Sequence, residues 1–203
     1  MKFSGANVIS LLDLSGNGNH TGVQTGPGAT HLPGDLNDLG TWQWSGASRH
    51  SVSPFYSGTD PGYCACVISM DVPADTTNHL WEFGSGSSTN YPFSDNNLYQ
   101  SFGTGIRYSI AQNPAGVVRS WHVLEAFSDG VSRGMRINNV NHNIAVSATP
   151  SWTGSVFRIG GGTGGFMTGR IAEMLFYSRS NMAAHADAAS IRNHLNSKWG
   201  GVF

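Results

Sequence analysis

Strand-length apolar runs recur along almost the whole chain, and clusters of Gly, Asn, Ser, Asp and Pro separate them. The clearest run, 63–72 (YCACVISMDV), is nearly continuous in apolar residues. Such a run predicts a central strand that is buried on both faces. The run 170–177 (RIAEMLFY) predicts a second strong strand. This alternation of short strands and turns indicates an all-β fold.

Turn signals join neighbouring runs into hairpins. One hairpin is expected to join 97–102 to 106–111, and another to join 121–127 to 134–138 through a Ser-Asp-Gly turn. The stretch 15–40 has little apolar periodicity and predicts a long ordered loop with a short strand or two. No internal repeat of fixed period is present.

Only the C-terminal segment has helical character. Asn181 is a plausible N-cap, and the Ala-rich run 182–198 predicts a helix that Gly200 and Gly201 end. Its apolar stripe comprises Ala184, Ala188, Ile191, Leu195 and Trp199. The prediction is a single domain over 1–203, an antiparallel two-sheet jelly-roll sandwich with one C-terminal α-helix.

Composition excludes several other classes of protein. Charged residues make up 11% of the chain, against about 25% in an average soluble domain, and only two residues are lysine. A near-neutral chain of this kind lacks the basic surface of a nucleic-acid-binding protein. Its apolar runs are too short to cross a bilayer, and its N-terminus has no secretory signal. Cys64 and Cys66 are two residues apart on the predicted central strand, so their side chains point to the same face. The strand spacing holds them too far apart for easy disulfide formation, and we expect free buried thiols.

Four motifs occur in an order that resembles the laminin G-like members of the concanavalin A-like jelly-roll sandwiches. The motifs are 13–20 (DLSGNGNH), Trp121 with Asp129-Gly130 and 136–139 (RINN), 169–179 (GRIAEMLFYSR), and the helix ending 195–200 (LNSKWG). Asn139 replaces the usual glycine of the second motif and tolerates the same left-handed turn. The segment before Asp13 is shorter than in these relatives.

The resemblance implies the jelly-roll fold, as it occurs in surface proteins of bacteria and tailed phages. Such relatives bind glycans or proteins, act as adhesion or virion modules, or accompany glycanases. Because a fold does not determine a function, the site requires a separate argument.

The sequence offers no catalytic carboxylate pair. Glycoside hydrolysis needs two carboxylates close together, and glucanases on this sandwich place them on one strand as E-x-D-x-x-E. That string is absent, and Glu82, Glu125 and Glu173 stand alone on three predicted strands. Neither a G-x-S-x-G nucleophile motif nor a phosphate loop is present. The protein is therefore predicted not to be an enzyme.

Asp13, Ser15 and Asn17 match the first half of an oxygen-ligand calcium loop, D-x-S-x-N-G. The second half of the calcium-loop pattern does not match, because its twelfth position is Gln24 instead of the glutamate that binds calcium through both oxygens. Asp35 or Asp38 could add a carboxylate from the same stretch. The alternative, which we favour, is a turn whose side chains cap backbone N–H groups. We expect no cofactor, with calcium at this turn as the open possibility.

Five residues are candidates for glycan binding: Trp42, Trp44, Tyr91, Phe93 and Asn96. Trp42 and Trp44 share one strand face because they are two residues apart. They either stack on sugar rings or fill the sandwich core, and the core is favoured. Tyr91, Phe93 and Asn96 lie in an Asn-rich stretch that mixes aromatic and amide groups, as adaptable binding loops do, but the two aromatic residues could equally belong to the core.

Our first functional hypothesis is a non-catalytic tailed-phage virion protein, for example a capsid decoration, head-fibre or tail component. It would be made in the host cytoplasm, lie on the virion surface as a homo-oligomer, and contact other virion proteins and cell-surface glycans. The alternative is a soluble carbohydrate-binding module or lectin, and a third hypothesis is a divergent glycan-active enzyme.

Overall fold

The computed structural model describes residues 2–4, 7–10, 21–71, 77–83, 89–95, 97–104, 107–112, 119–146, 149–152 and 157–201. Within these ranges the chain forms antiparallel strands, a short 3-10 turn and an α-helix. The strands build two large sheets and a two-stranded ribbon. The prediction of an all-β sandwich with a C-terminal helix is confirmed.

The described strands run in chain order as follows. They are β1 (Lys2–Ser4), β2 (Asn7–Ser10), β3 (Thr21–Thr25), β4 (Ala29–Leu36), β5 (Leu39–Ser45), β6 (Arg49–Val52), β7 (Gly62–Met70), β8 (His79–Phe83), β9 (Thr89–Asn90), β10 (Asn97–Gln100), β11 (Tyr108–Gln112), β12 (His122–Ser128), β13 (Ser132–Ile137), β14 (Val140–Val146), β15 (Phe157–Ile159), β16 (Gly161–Gly162), β17 (Gly165–Phe166) and β18 (Thr168–Tyr177). The nine-stranded sheet has the order β1-β2-β4-β5-β18-β7-β12-β13-β14. The seven-stranded sheet has the order β11-β10-β9-β8-β15-β6-β3, and β16 pairs with β17.

Strand β7 lies inside the nine-stranded sheet between β18 and β12, and all nine of its residues are buried. This confirms the central strand that the continuous apolar run predicts. Cys64 and Cys66 on β7 are buried free thiols, also as predicted. Burial raises the pKa of the Cys64 thiol, so it stays protonated.

The main core lies between the two large sheets. Its largest fully buried side chains are Trp44, Trp81, Phe83, Tyr91, Phe102 and Phe157. Several of these rings meet edge to face; the Phe83 and Phe157 centroids, for example, are 5.3 Å apart. Apolar residues at alternate strand positions therefore hold the two layers together.

The prediction of a long loop over 15–40 is wrong for its described part. Residues 21–40 contain β3, β4 and the start of β5, and β4 and β5 form a hairpin. Asn37 and Asp38 make the turn with φ of 49° and 58°, the left-handed pair that favours a two-residue hairpin. The apolar pattern is weak because β4 is only partly buried. Asn139 has a φ of 65°, so its predicted left-handed conformation is confirmed.

The C-terminal helix begins later than predicted. Met182–Ala184 form a 3-10 turn, and α1 spans Ala186–Lys198. Asn181 is not the helix cap, because it adopts a left-handed φ of 53°; the cap is His185, whose side chain accepts a hydrogen bond from the Asp187 N–H at 3.1 Å. The predicted stripe is confirmed except for Ala184, which is exposed.

Helix α1 covers part of the outer face of the nine-stranded sheet. Its residues Ala188, Ile191 and Leu195 pack in a second apolar cluster with Tyr63 and Val67 of β7. No helix among the described residues is long and apolar enough to cross a membrane.

Candidate functional site

The outer face of the seven-stranded sheet presents aromatic and charged side chains, whereas α1 covers the other outer face. Pairing identifies the residues that share this face, because directly opposed residues of an antiparallel pair point the same way. Glu82 opposes Arg158, which also opposes Ser51, while Tyr99 opposes Asn90, which also opposes His79. We call this surface the seven-strand face.

A bulge in β8 divides its side chains between core and surface. The register with β9 shifts between His79 and Trp81, so Leu80 and Trp81 both point into the core. His79 and Glu82 therefore both lie on the seven-strand face. A plain alternation would have placed only one of them there.

The first part of the site is the Arg107 cluster, which comprises Phe93, Asp95, Tyr99 and Arg107. The Phe93 and Tyr99 rings meet edge to face with centroids 5.3 Å apart, and both are half-buried. The exposed Arg107 guanidinium lies 4.6 Å from the Phe93 centroid and 4.9 Å from the Tyr99 centroid. The Tyr99 hydroxyl donates to Asp95 at 2.6 Å; this bond lowers the pKa of Asp95 and raises that of Tyr99.

The second part is the Glu82 cluster, which comprises Arg49, Glu82, Arg158, Thr163 and Phe166. Arg158 binds the Glu82 carboxylate at 2.8 Å, and the Thr163 backbone N–H donates to it at 2.6 Å. The Thr163 hydroxyl donates to the other carboxylate oxygen at 2.9 Å. Arg49 donates to the Gly162 carbonyl and lies 5.6 Å from the Phe166 ring centroid.

His79 connects the two clusters. Burial and the charge of Arg107 lower its pKa, and Glu82 opposes that effect, so the imidazole is neutral at neutral pH. The β16–β17 hairpin lies against it: a Cβ added to Gly164 would meet the imidazole at 2.9 Å and one added to Gly165 at 2.7 Å. Glycine at these positions therefore lets the hairpin approach the sheet closely.

The structure places Trp42 and Trp44 in the core rather than on a binding platform. Trp44 is 1% exposed and meets His50 edge to face, with ring centroids 5.7 Å apart. Trp42 shares its strand face, as predicted, and packs half-buried against the same core. Both project between the sheets, so stacking on a sugar is excluded for Trp44.

Tyr91 and Phe93 occupy different environments, one in the core and the other on the seven-strand face. Tyr91 is 0% exposed, and its hydroxyl hydrogen-bonds His122 Nε2 at 2.9 Å, so the platform role is wrong for it. Phe93 lies on the seven-strand face beside Tyr99 and remains a candidate for glycan binding. Asn96 lies outside the described residues.

The predicted calcium ligands Asp13, Ser15 and Asn17 also lie outside the described residues. Asp35, the additional carboxylate, accepts from the Thr41 hydroxyl at 2.6 Å and binds Arg170 at 3.2 Å. Asp38 occupies the β4–β5 turn. Among the residues that the structure describes, no three His, Cys, Asp or Glu side chains group as a metal site would require.

Each of the three glutamates is held by a positive group. Glu82 points to the seven-strand face, whereas Glu125 and Glu173 lie on the helix side. Glu125 is 0% exposed; it binds Arg136 at 3.0 Å and Arg192 at 2.9 Å, and it accepts a hydrogen bond from the Tyr63 hydroxyl. Glu173 accepts from Trp199 Nε1 at 2.7 Å and binds Lys198 at 3.0 Å. Each carboxylate is therefore held by charged or polar partners, although all three contacts of Glu125 go to Oε1 and its buried Oε2 has no hydrogen-bond partner among the described residues.

Sequence reasoning missed Tyr99, Arg107, Arg49, Arg158 and Phe166. Alternation within β10 could have indicated Tyr99, because Leu98 and Gln100 on either side of it are buried. The arginines come from separate strands and loops, and no local motif joins them. Their grouping depends on the strand order of the seven-stranded sheet.

Comparison with solved structures shows the fold. Domain 4 of AbnA, a GH43 extracellular arabinanase from Geobacillus stearothermophilus, was solved in complex with arabinotriose; it is similar to this chain with a TM-score of 0.62 and 17% identity, over 83% of this chain and 87% of that one. At this identity the similarity shows a shared jelly-roll-like β-sandwich and nothing more.

Two further similarities are weaker. The carbohydrate recognition domain of Emp47p has a TM-score of 0.43 and 13% identity, over 84% of this chain and 95% of that one. The carbohydrate-binding module CBM66 from Bacillus subtilis has a TM-score of 0.35 and 14% identity, over 78% and 93%. These two similarities carry no argument about this chain. No protein-family model and no curated protein matches the sequence.

Proposed function

We propose that this protein is a non-catalytic carbohydrate-binding domain that binds glycans on the seven-strand face. The observation that carries the proposal is the half-buried Phe93–Tyr99 pair beside charged hydrogen-bonding groups, on the outer face that α1 leaves open. Aromatic surface suits the C–H faces of a sugar ring, and the guanidinium and carboxylate groups suit its hydroxyls. Domain 4 of AbnA, which shares the fold, was solved with arabinotriose.

The arrangement of carboxylates supports binding rather than hydrolysis. Of the three glutamates, only Glu82 lies on the seven-strand face, and Arg158 and Thr163 occupy its oxygens. Asp95, the other carboxylate that the described part of the chain places on this face, accepts hydrogen bonds from the Tyr99 hydroxyl and the Asn97 N–H. The hydrogen bond from Tyr99 lowers the pKa of Asp95, whereas a general acid near neutral pH needs a raised one.

Affinity electrophoresis of the purified chain in gels containing neutral and anionic polysaccharides tests the proposal. At least one polysaccharide is expected to retard the protein. Tyr99→Ala should weaken that binding by about thirtyfold, the effect of removing an aromatic side chain that contributes about 2 kcal/mol to an interface. Phe93→Ala should weaken it in the same direction, which guards against a folding defect in one variant.

Tyr177→Ala is the matched control, because Tyr177 is 38% exposed and lies at the end of β18, beside α1. It should bind as the wild type does. Retardation by no polysaccharide, or equal losses for Tyr99→Ala and Tyr177→Ala, would contradict the proposal. Release of sugar from any of the polysaccharides would refute its non-catalytic part.

The virion role and a homo-oligomeric state stay predictions. Domain 4 of AbnA, which shares the fold, belongs to an arabinanase, and no contact described above favours docking on a particle. Co-purification with assembled phage particles is the measurement that would support this role over the soluble module.

A further inference from the structure

The charged groups of the seven-strand face are unbalanced. Of the residues that the structure describes, three arginines (Arg49, Arg107, Arg158) and two carboxylates (Glu82, Asp95) are assigned to this face, whereas the rest of the sequence has eight Lys or Arg and ten Asp or Glu. The face is therefore positive on a chain whose remainder is negative. A surface of this kind favours anionic ligands over neutral ones of the same shape.

Both carboxylate oxygens of Glu82 already accept hydrogen bonds from neighbouring groups. One of its oxygens accepts from Arg158 and the Thr163 N–H, and the other accepts from the Thr163 hydroxyl. Among the residues that the structure describes, no carboxylate lies within 4.0 Å of the Arg49 guanidinium. The charge of Arg49 therefore has no ion-pair partner in the described part of the chain.

Arg49 is nevertheless held in a fixed position. Its Nη1 donates to the Gly162 carbonyl, and its guanidinium lies 5.6 Å from the Phe166 ring centroid. Burial and the neighbouring Arg158 lower the pKa of Arg49, which means that its surroundings disfavour the positive charge. An anion beside Arg49 would stabilise its positive charge. A guanidinium is planar and presents two parallel N–H donors, which match the two oxygens of a carboxylate.

We propose that the seven-strand face selects glycans that carry carboxylates, such as polymers of uronic acids, and that Arg49 receives the carboxylate through paired N–H donors. This inference rests on the proposed function and names the substrate class of the same site. Tyr99 and Phe93 then contact the neighbouring sugar rings, while Arg49 provides the discrimination between an acidic sugar and its neutral counterpart.

Polygalacturonate and its methyl-esterified form make the sharpest pair of ligands, because they share one backbone and differ in the free carboxylate. In calorimetric titrations the acid form should bind at least about tenfold more tightly than the ester, the effect of one charge-assisted pair of hydrogen bonds. Arg49→Gln should abolish most of this preference. Arg49→Lys, which keeps the charge without the fork, should retain part of it.

Arg179→Gln is the matched control, because Arg179 is half-exposed and pairs with Asp187 on the helix side of the molecule. It should keep the full preference, and thermal unfolding of each variant should confirm that it is folded. A sulfated galactan serves as a third ligand, to separate carboxylate recognition from general attraction of polyanions.

The outcomes separate this inference from the proposed function. Equal binding of the acid and the ester would overturn the inference and leave carbohydrate binding intact. Equally tight binding of the sulfated galactan, insensitive to Arg49→Gln, would also overturn it, since diffuse electrostatic attraction would then explain the preference. Failure to bind any polysaccharide would refute the proposed function itself.

Discussion

His122 should make the protein lose stability in mild acid. Its ring lies in the core; Nε2 hydrogen-bonds the Tyr91 hydroxyl at 2.9 Å, and Nδ1 bonds the Ser120 carbonyl oxygen at 2.8 Å. Burial lowers its pKa from 6.5 to about 4, although the Ser120 carbonyl opposes the shift. The unfolded chain therefore takes up a proton at this histidine at higher pH than the folded chain does.

The sign and size of the effect follow from this difference in pKa. The stabilising contribution is fully present above pH 6.5, is lost as the pH falls, and is exhausted near pH 4. Between about pH 8 and about pH 5 the free energy of unfolding should fall by ~2 kcal/mol from this residue alone. Urea unfolding across this range measures the loss directly.

A variant isolates the contribution of His122, because burial also lowers the pKa values of His79 and His142. His122→Gln keeps a hydrogen-bonding side chain and removes the titration. The wild type should lose ~2 kcal/mol more than this variant between about pH 8 and about pH 5. Parallel pH profiles for the two proteins would refute the reasoning, and so would a His122 pKa near 6.5 in a proton NMR titration of the folded protein.

Two further substitutions test packing. Glu125→Gln should lower the free energy of unfolding by about 3 kcal/mol in urea titrations, because Arg136 and Arg192 would then surround a neutral amide. A loss below about 1 kcal/mol would show that these buried ion pairs are not needed for stability. Gly160→Ala should cost about 3 kcal/mol, because Gly160 has a φ of 80° and its Cβ would overlap Trp44 Nε1. Gly22→Ala, which meets nothing within 4 Å, should be nearly neutral, and equal losses for the two glycines would contradict the packing argument.

The sequence predicts the fold well where one physical signal dominates. The unbroken apolar run of β7 can only be satisfied by burial on both faces, and the structure buries all of it. The Ser-Asp-Gly turn is equally local: Asp129 accepts from the Ser132 N–H at 2.8 Å and thereby closes the β12–β13 hairpin. By contrast, β4 is half-buried and interrupted by Pro33 and Gly34, which hid the strand within an apparent loop.

The aromatic candidates show a different limit of sequence reasoning. A spacing of two residues establishes that Trp42 and Trp44 share a face, but it does not say whether that face is inside or outside the sandwich. Tyr91 and Phe93 have the same spacing and yet separate, because Tyr91 hydrogen-bonds His122 in the core whereas Phe93 lies at the surface. Only the partners across the fold decide such cases.

The seven-strand face depends still more on tertiary structure. Arg158 binds Glu82 and Arg49 lies near both because β6, β15 and β8 are neighbours in the sheet, although 76 and 33 residues respectively separate the two arginines from Glu82 in the chain. The bulge in β8 is also required, since plain alternation would leave His79 and Glu82 on opposite faces. A charge pattern that arises from strand order and one bulge has no counterpart in a linear motif. Substitutions of the aromatic residues on this face therefore test its assignment as a binding site, and Arg49 variants test its selectivity for carboxylates, independently of any resemblance in sequence.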